Sequence, residues 1–138
     1  MKLHVLRPEQ QGIENYTIAL VVNNEVNLSQ VCNNECEVIM ANDAIDSFSI
    51  DRVPALIESL ASKLRINGKL VIGGTDIRLL SKSIINDQMA EEEGSNMIGS
   101  INSATNPLMI KAIIQKLGLS YVSTQISGVH YEITAKRG

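Results

Sequence analysis

The stretch LRINGKLVIGGTDI, residues 64–77, decides the fold. It reads as the end of a helix, a tight Asn67-Gly68 corner, and an apolar strand that closes on Gly73-Gly74 ahead of Thr75-Asp76. Upstream, Val53, Leu56, Ile57, Leu60, Ala61 and Leu64 recur at spacings of three and four, the stripe of an amphipathic helix. Asp51 stands as its N-cap, and Pro54 sits in the first turn, where a missing N–H costs little. Asn67-Gly68 tolerates positive φ, and Lys69 to Ile72 forms the next strand. Helix, short turn and strand make the second half of a βαβ unit.

Outward from this unit the alternation continues. KLHVL (2–6) is a short strand stopped by Arg7-Pro8, and EVIMA (37–41) is another, closed by Asn42-Asp43. YTIALVV (16–22) is a continuous β-prone run, the pattern of a strand buried on both faces. The Asn-rich segment 23–36 has no period. A second helix starts at Asp76, with Ile77, Leu80, Ile84 and Ile85 inward. Segment 91–105, acidic and then rich in Gly, Ser and Asn, reads as a mobile loop. Asn106-Pro107 opens a third helix with the stripe Ile110, Ile113, Ile114 and Leu117, and Gly118 ends it. Ser120 to Ile126, Ser127-Gly128 and Val129 to Ala135 read as a β-hairpin. Val129, Tyr131, Ile133 and Ala135 share one of its faces; His130, Glu132 and Thr134 share the other. The expectation is an α/β three-layer sandwich, one domain over 1–138, its sheet mostly parallel with an antiparallel last strand.

Composition narrows the function classes. The 138 residues are 44% apolar, with one Phe and no Trp, so the core is aliphatic. Twelve basic and fifteen acidic residues are scattered through a chain of net charge −3. No basic stripe exists to neutralise phosphates, so no nucleic-acid partner is expected. No apolar run approaches the roughly 18–20 residues of a membrane span, and the opening MKLHVLRPEQQ does not read as a signal peptide. Cys32 and Cys36 stand four apart, but the only histidines, His4 and His130, lie near opposite ends. Zinc needs a second ligand cluster, so two free thiols in a reducing cytoplasm, and no metal, are expected.

These segments resemble a family. Class I methyltransferases that use S-adenosylmethionine commonly carry a strand of the type DEIYASHVLEHF, then an amphipathic helix, then LKPGGKLVIEVPDL. Here EVIMANDAIDSF (37–48), the helix over 51–64 and LRINGKLVIGGTDI follow that order and spacing. The tail, KLGLSYVS (116–123) and then HYEITAKR (130–137), resembles the family's last helix end and its last two strands. The likeness covers residues 37–137. It implies a Rossmann-like sheet with S-adenosylmethionine bound at its carboxyl edge.

The opening of the chain departs from the pattern. Compact members begin with something like KLNLGCG, followed by GYINVDI; glycines let the backbone approach the cofactor, and the acid holds the ribose hydroxyls. KLHVLRP (2–8) and NYTIALV (15–21) stand there instead. Leu6, Arg7 and Pro8 therefore occupy the Gly-Cys-Gly positions, and Leu20 the ribose acid. A longer second strand would bring Asn23, Asn24 or Glu25 to its tip, and Gly12 would allow a loop of another shape.

Asn42, Asp43, Gly73 and Gly74 fall at the substrate side of the likeness, and Asp46 and Ser47 where the family often has Glu and His. Asp43 is the candidate to take a proton from an acceptor, with Asn42 orienting it. The alternative is that Asn42 or Asp43 serves the next turn and Asp46 is solvated. The glycine pair either leaves room for a ligand or marks a strand-end bulge. His130 points away from the apolar face, as a surface residue.

The leading expectation is a methyltransferase-like domain with a degenerate cofactor half, a pseudoenzyme acting as a binding or assembly partner, with a protein partner or as a homodimer. One alternative is an active enzyme that uses S-adenosylmethionine on a small-molecule or sugar acceptor through an atypical loop. The other is a structural subunit of a larger assembly.

Overall fold

The computed structural model describes residues 1–138. The chain forms β1 (Lys2–Leu6), β2 (Thr17–Val22), β3 (Glu25–Val26), β4 (Cys36–Ala41), a 3-10 turn over Ala44–Ser47, and α1 (Val53–Lys63). It continues through β5 (Leu64–Thr75), α2 (Ile77–Ile85), α3 (Glu91–Ser100), α4 (Pro107–Lys116), β6 (Ser120–Ser127) and β7 (His130–Lys136). The strands make one sheet in the order β3-β2-β1-β4-β5-β7-β6. β2, β1, β4 and β5 run parallel, whereas β7 is antiparallel to both β5 and β6. The α/β architecture and the antiparallel closing strand agree with the sequence reading.

The core lies on one face of the sheet. Leu3, Val5, Ile39, Ala41, Leu70, Ile72, Ile133 and Ala135, alternate residues of four strands, pack there against Val53, Ile57 and Leu60 of α1 and Ile110 and Ile114 of α4. Each of these side chains is fully buried, and full burial of an aliphatic side chain is worth about 1.5–3 kcal/mol. Asn106 caps α4 by accepting from the backbone N–H groups of Leu108 and Met109, at 3.0 and 3.2 Å. Pro107 follows it, and Gly118 (φ 81°) supplies the left-handed stop.

Several elements differ from expectation. The N-cap of α1 is Arg52, with no side-chain bond; Asp51 lies one residue outside. β5 begins five residues early, at Leu64, and the Asn67-Gly68 corner is a bulge inside it. Four residues of β5 there oppose one of β4, between the pairs Leu64–Cys36 and Lys69–Val38. Segment 91–100 is helical, not a mobile loop: Glu91, Glu92 and Glu93 sit in the first turn of α3, where the helix dipole favours acids. Gly94 brings α3 close to α2, since a Cβ there would meet Ile84 Cδ1 at 2.6 Å. Strand two is buried on one face only. Ala19 and Val21 point into the core, while Ile18, Leu20 and Val22 stay 51%, 47% and 52% exposed.

Facing away from the core, the sheet carries no packed helix over β1 and β2. The link between these strands, residues 7–16, is too short for the usual crossover helix and runs as two turns joined by irregular chain, with Gly12 against Ile18. Beneath it lies His4, 1% exposed, with neither ring nitrogen hydrogen-bonded. An unpaired buried polar group costs about 1–3 kcal/mol. His4→Leu is therefore expected to stabilise the fold by about 1–2 kcal/mol, read as a higher urea midpoint at unchanged slope.

Candidate functional site

In an open α/β sheet, ligands bind beyond the carboxyl ends of the strands, where the order reverses. Here that point lies between β1 and β4. Arg7 follows β1, Asn42-Asp43 follow β4 and Asp76 follows β5, so the topology gathers these residues at one edge.

Side chains span the gap between the ends of β1 and β4. Gln10 accepts from the Arg7 N–H at 2.9 Å and donates through Nε2 to the Asn42 carbonyl at 2.9 Å. Arg7 Nη1 donates to the Asp43 carbonyl at 3.2 Å, and its Nε pairs with Glu9 at 2.7 Å. The Arg7 side chain is 18% exposed. Leu6 is buried, and Pro8 stands exposed just beyond. Of the residues at the expected Gly-Cys-Gly positions, Arg7, with Gln10, thus bridges the end of β1 to that of β4.

The second expected element is also filled differently. β2 stops at Val22, and Asn23-Asn24, both with positive φ, turn the chain directly into β3. Glu25 pairs with Arg52 of the α1 N-terminus at 3.0 Å. Leu20 lies on the exposed sheet face with no hydrogen-bonding group to offer. A sulfonium nucleoside needs backbone access and an acceptor for its ribose hydroxyls. The Arg7–Gln10 bridge occupies the Arg7 N–H and the Asn42 and Asp43 carbonyls, Leu20 offers no acceptor, and Asn23 and Asn24 stand at the tip of β2, where a longer second strand would bring them.

A buried polar cluster lies next to the bridge. Asp46 is 2% exposed rather than solvated. Its Oδ1 accepts from the Thr75 N–H at 2.8 Å, and its Oδ2 accepts from the Thr75 hydroxyl at 2.7 Å. Burial pushes the Asp46 carboxyl above its ordinary range, against the opposing pull of both Thr75 bonds. Arg7 Nη1 stands 3.9 Å from Oδ2. Tyr131 shares a hydrogen bond of 2.7 Å with Thr105, and burial raises its phenol well beyond the ordinary value. Asp76 caps α2 by accepting from the Arg78 and Leu79 N–H groups.

The expected substrate-side residues fall around this cluster. Asp43 adopts a left-handed conformation (φ 59°) before the 3-10 turn and makes no capping bond; its Oδ1 is 3.2 Å from His130 Nδ1. The Asn42 amide oxygen is buried and unpaired. Gly73 and Gly74 are walled by the chain itself: a Cβ on Gly73 would strike the Tyr131 carbonyl, and one on Gly74 would meet Asp46 Oδ1 at 2.9 Å. Asp43, His130, Glu132, Gln125, Ile126 and Ser127 border an open cavity of about 530 Å³. A groove of about 600 Å³ lies elsewhere, between β3 and α1, beside Val26, Leu28, Phe48 and Leu56.

Sequence reasoning missed Gln10 and the Asp46–Thr75 clamp. Each depends on strand neighbours far apart in the chain.

No family model matches the sequence, and no curated protein matches it. Solved structures do match in shape. A SAM-dependent methyltransferase from Archaeoglobus fulgidus superposes with a TM-score of 0.61 at 14% identity, over 89% of this chain and 68% of its own. The plantazolicin methyltransferase BamL gives 0.63 at 12%, over 89% and 60%. The PH0226 protein from Pyrococcus horikoshii gives 0.61 at 14%, over 90% and 60%. The chain thus spans about three-fifths to two-thirds of their lengths. No helix is long and apolar enough to cross a membrane. Strand order, the antiparallel β7 and these superpositions give one conclusion: the chain has the fold of the class I S-adenosylmethionine-dependent methyltransferases.

Proposed function

We propose that this chain is a methyltransferase-fold domain whose cofactor cleft has closed, and that it acts as a binding or assembly module. The observation that carries the reading is the Arg7–Gln10 bridge from the end of β1 to the Asn42 and Asp43 carbonyls. A cofactor loop needs small residues and free N–H groups. Here the Arg7 N–H is already bonded to Gln10, and Arg7 and Pro8 bring bulk where small residues are needed. The test is calorimetric titration of the intact chain with S-adenosylmethionine and S-adenosylhomocysteine. No saturable heat and no thermal stabilisation are expected up to about 1 mM ligand. Micromolar binding weakened by Glu25→Ala would overturn the proposal.

One observation favours a second reading. The 530 Å³ cavity at the carboxyl edge is bordered by the His130–Asp43 pair and Glu132, groups able to hold a polar small molecule. An enzyme of atypical cofactor loop would take its acceptor there, with Asp43 as the proton acceptor. Methyl transfer to a panel of small alcohols and sugars, lost in Asp43→Asn, would establish it.

A further inference from the structure

The two edges of the sheet are finished differently. β3, at one edge, is two residues long. β6, at the other, is eight, and SYVSTQIS (120–127) holds no charged residue and no proline. Soluble proteins ordinarily blunt an edge strand with shortness, lysine, proline or a bulge, because its free backbone groups invite another strand. A bulge at Val122 disturbs only the start of β6. From Ser123 to Ser127 it pairs residue for residue with Thr134 to His130.

The pairing of β7 fixes which groups of β6 are free. The Asp76 N–H donates to the Val129 carbonyl at 2.7 Å, so Val129, Tyr131 and Ile133 turn their backbone groups toward β5, and His130, Glu132 and Thr134 turn theirs toward β6. Their partners Ser127, Gln125 and Ser123 face β7 in return, which leaves the N–H and C=O of Thr124 and Ile126 pointing outward. No turn or loop group bonds either residue. The core face of this edge is also apolar. Ile126 lies opposite Tyr131 and is 58% exposed. Lys111 of α4 stands over the Tyr121 ring, 4.2 Å from its centroid, which puts that flank of α4 beside the edge. Leu108, one turn earlier on the same flank, is 65% exposed.

We propose that β6 pairs with β6 of a second copy of this chain, antiparallel, about a two-fold axis through Gln125. In this register Thr124 of each copy faces Ile126 of the other. The outward groups of each such pair exchange both hydrogen bonds, and β-branched side chains meet on the core face, the reciprocal pairing of an isologous interface. Axes between residues would oppose these outward groups to groups that β7 already holds. Centring on Thr124 would draw in the bulge, and centring on Ile126 would run past the strand end. α4 packs on both β6 and β7, so across the seam the two α4 helices lie two strand spacings apart, about 10 Å, a packing distance for helices. On the opposite face, Ser123 of the second copy comes beside Ser127, which with Gln125 borders the cavity of about 530 Å³ next to Asp43 and His130. The second copy thus supplies part of that cavity's wall. The interface is small and rests on backbone hydrogen bonds, so the dimer is weak and concentration-dependent. It stands whether or not the cofactor cleft is closed.

Sedimentation velocity of the intact chain, at concentrations up to about 1 mM, tests the inference. A monomer–dimer equilibrium is expected. Gln125→Lys and Gln125→Glu each set like charges opposite one another on the axis, and each should raise the dissociation constant at least about tenfold. An equimolar mixture of the two should recover a heterodimer, because lysine then faces glutamate. Gln125→Lys also faces Glu132 of its own subunit, so its thermal midpoint should not fall, which separates lost association from lost folding. Ile126→Pro removes an outward N–H that β7 does not use, and should abolish the dimer while the hairpin is kept. A monomer at all concentrations overturns the proposal, and so does a dimer that survives Ile126→Pro or is indifferent to both charges at Gln125.

Discussion

Gly73→Ala is expected to destabilise the fold by about 3–4 kcal/mol, among the larger effects that one methyl group can have. The new Cβ would lie on the Tyr131 carbonyl oxygen, 3.2 Å from its carbon and 3.3 Å from the Glu132 Cα. All three obstacles are backbone, and a strand cannot rotate out of the way as a side chain can. Moving β7 aside would break its ladder with β5, in which Gly73 pairs with Glu132, and would drag along β6, paired with the other edge of β7. Overpacking a core side chain ordinarily costs about 1–3 kcal/mol, because neighbours adjust; here there is little to adjust. Gly74→Ala is the internal comparison. Its Cβ would meet side-chain atoms, Asp46 Oδ1 and Ile45 Cβ at 2.9 and 3.3 Å, so a smaller loss of about 1–2 kcal/mol is expected. Urea midpoints of the two variants give the ranking. A Gly73→Ala protein within about 0.5 kcal/mol of the parent would show that β5 and β7 do not approach this closely.

How much the sequence discloses depends on where each element's stabilising partner sits in the chain. α4 is legible because its signals are local: Asn106 caps the N–H groups two and three residues on, Pro107 fits the first turn, and Gly118 adopts the left-handed stop. The β6–β7 hairpin is legible for the same reason, though its corner is Gly128-Val129, one residue later than the Ser127-Gly128 read from the sequence. α3 is not. EEEGSNMIGS has no apolar stripe, and its one buried residue is a glycine valued for having no side chain. The exposure of Ile18, Leu20 and Val22 is equally silent, since a β-branched run looks the same whether or not anything covers its second face.

The site divides along the same line. That Leu6, Arg7 and Pro8 depart from a glycine loop is legible from residue type alone. That Gln10 bridges to Asn42 requires knowing that β1 and β4 are neighbours with their carboxyl ends at one edge, a contact across 32 positions. The glycine pair shows how a correct suspicion can stay undecided. Glycines at a strand end permit a ligand or a close backbone equally well, and only the position of Tyr131 distinguishes them.

Asp46 carries the second large effect, and its two substitutions separate charge from hydrogen bonding. Asp46→Ala strips partners from the buried Thr75 N–H and hydroxyl and leaves a void, for an expected loss of about 2–4 kcal/mol. Asp46→Asn keeps the shape. Its amide oxygen accepts from the Thr75 N–H, while its NH₂ donates to the Thr75 hydroxyl, which turns from donor to acceptor. The variant also removes a carboxylate that burial disfavours, and should lie within about 1 kcal/mol of the parent at neutral pH. The pH dependence has a definite sign. Burial raises the folded-state value above the ordinary 3.8, so the native protein holds this proton more tightly than the unfolded chain. Between 3.8 and the raised folded value, stability from this group falls as pH rises; it is recovered as the solution is acidified. Comparing the parent with Asp46→Asn cancels the other carboxylates, and the parent should gain on the variant as pH falls from 7 toward 4. A constant difference across that range would mean that Asp46 is not held in a desolvated pocket. An asparagine variant as unstable as the alanine one would mean that Thr75 needs the charge as well as the bond.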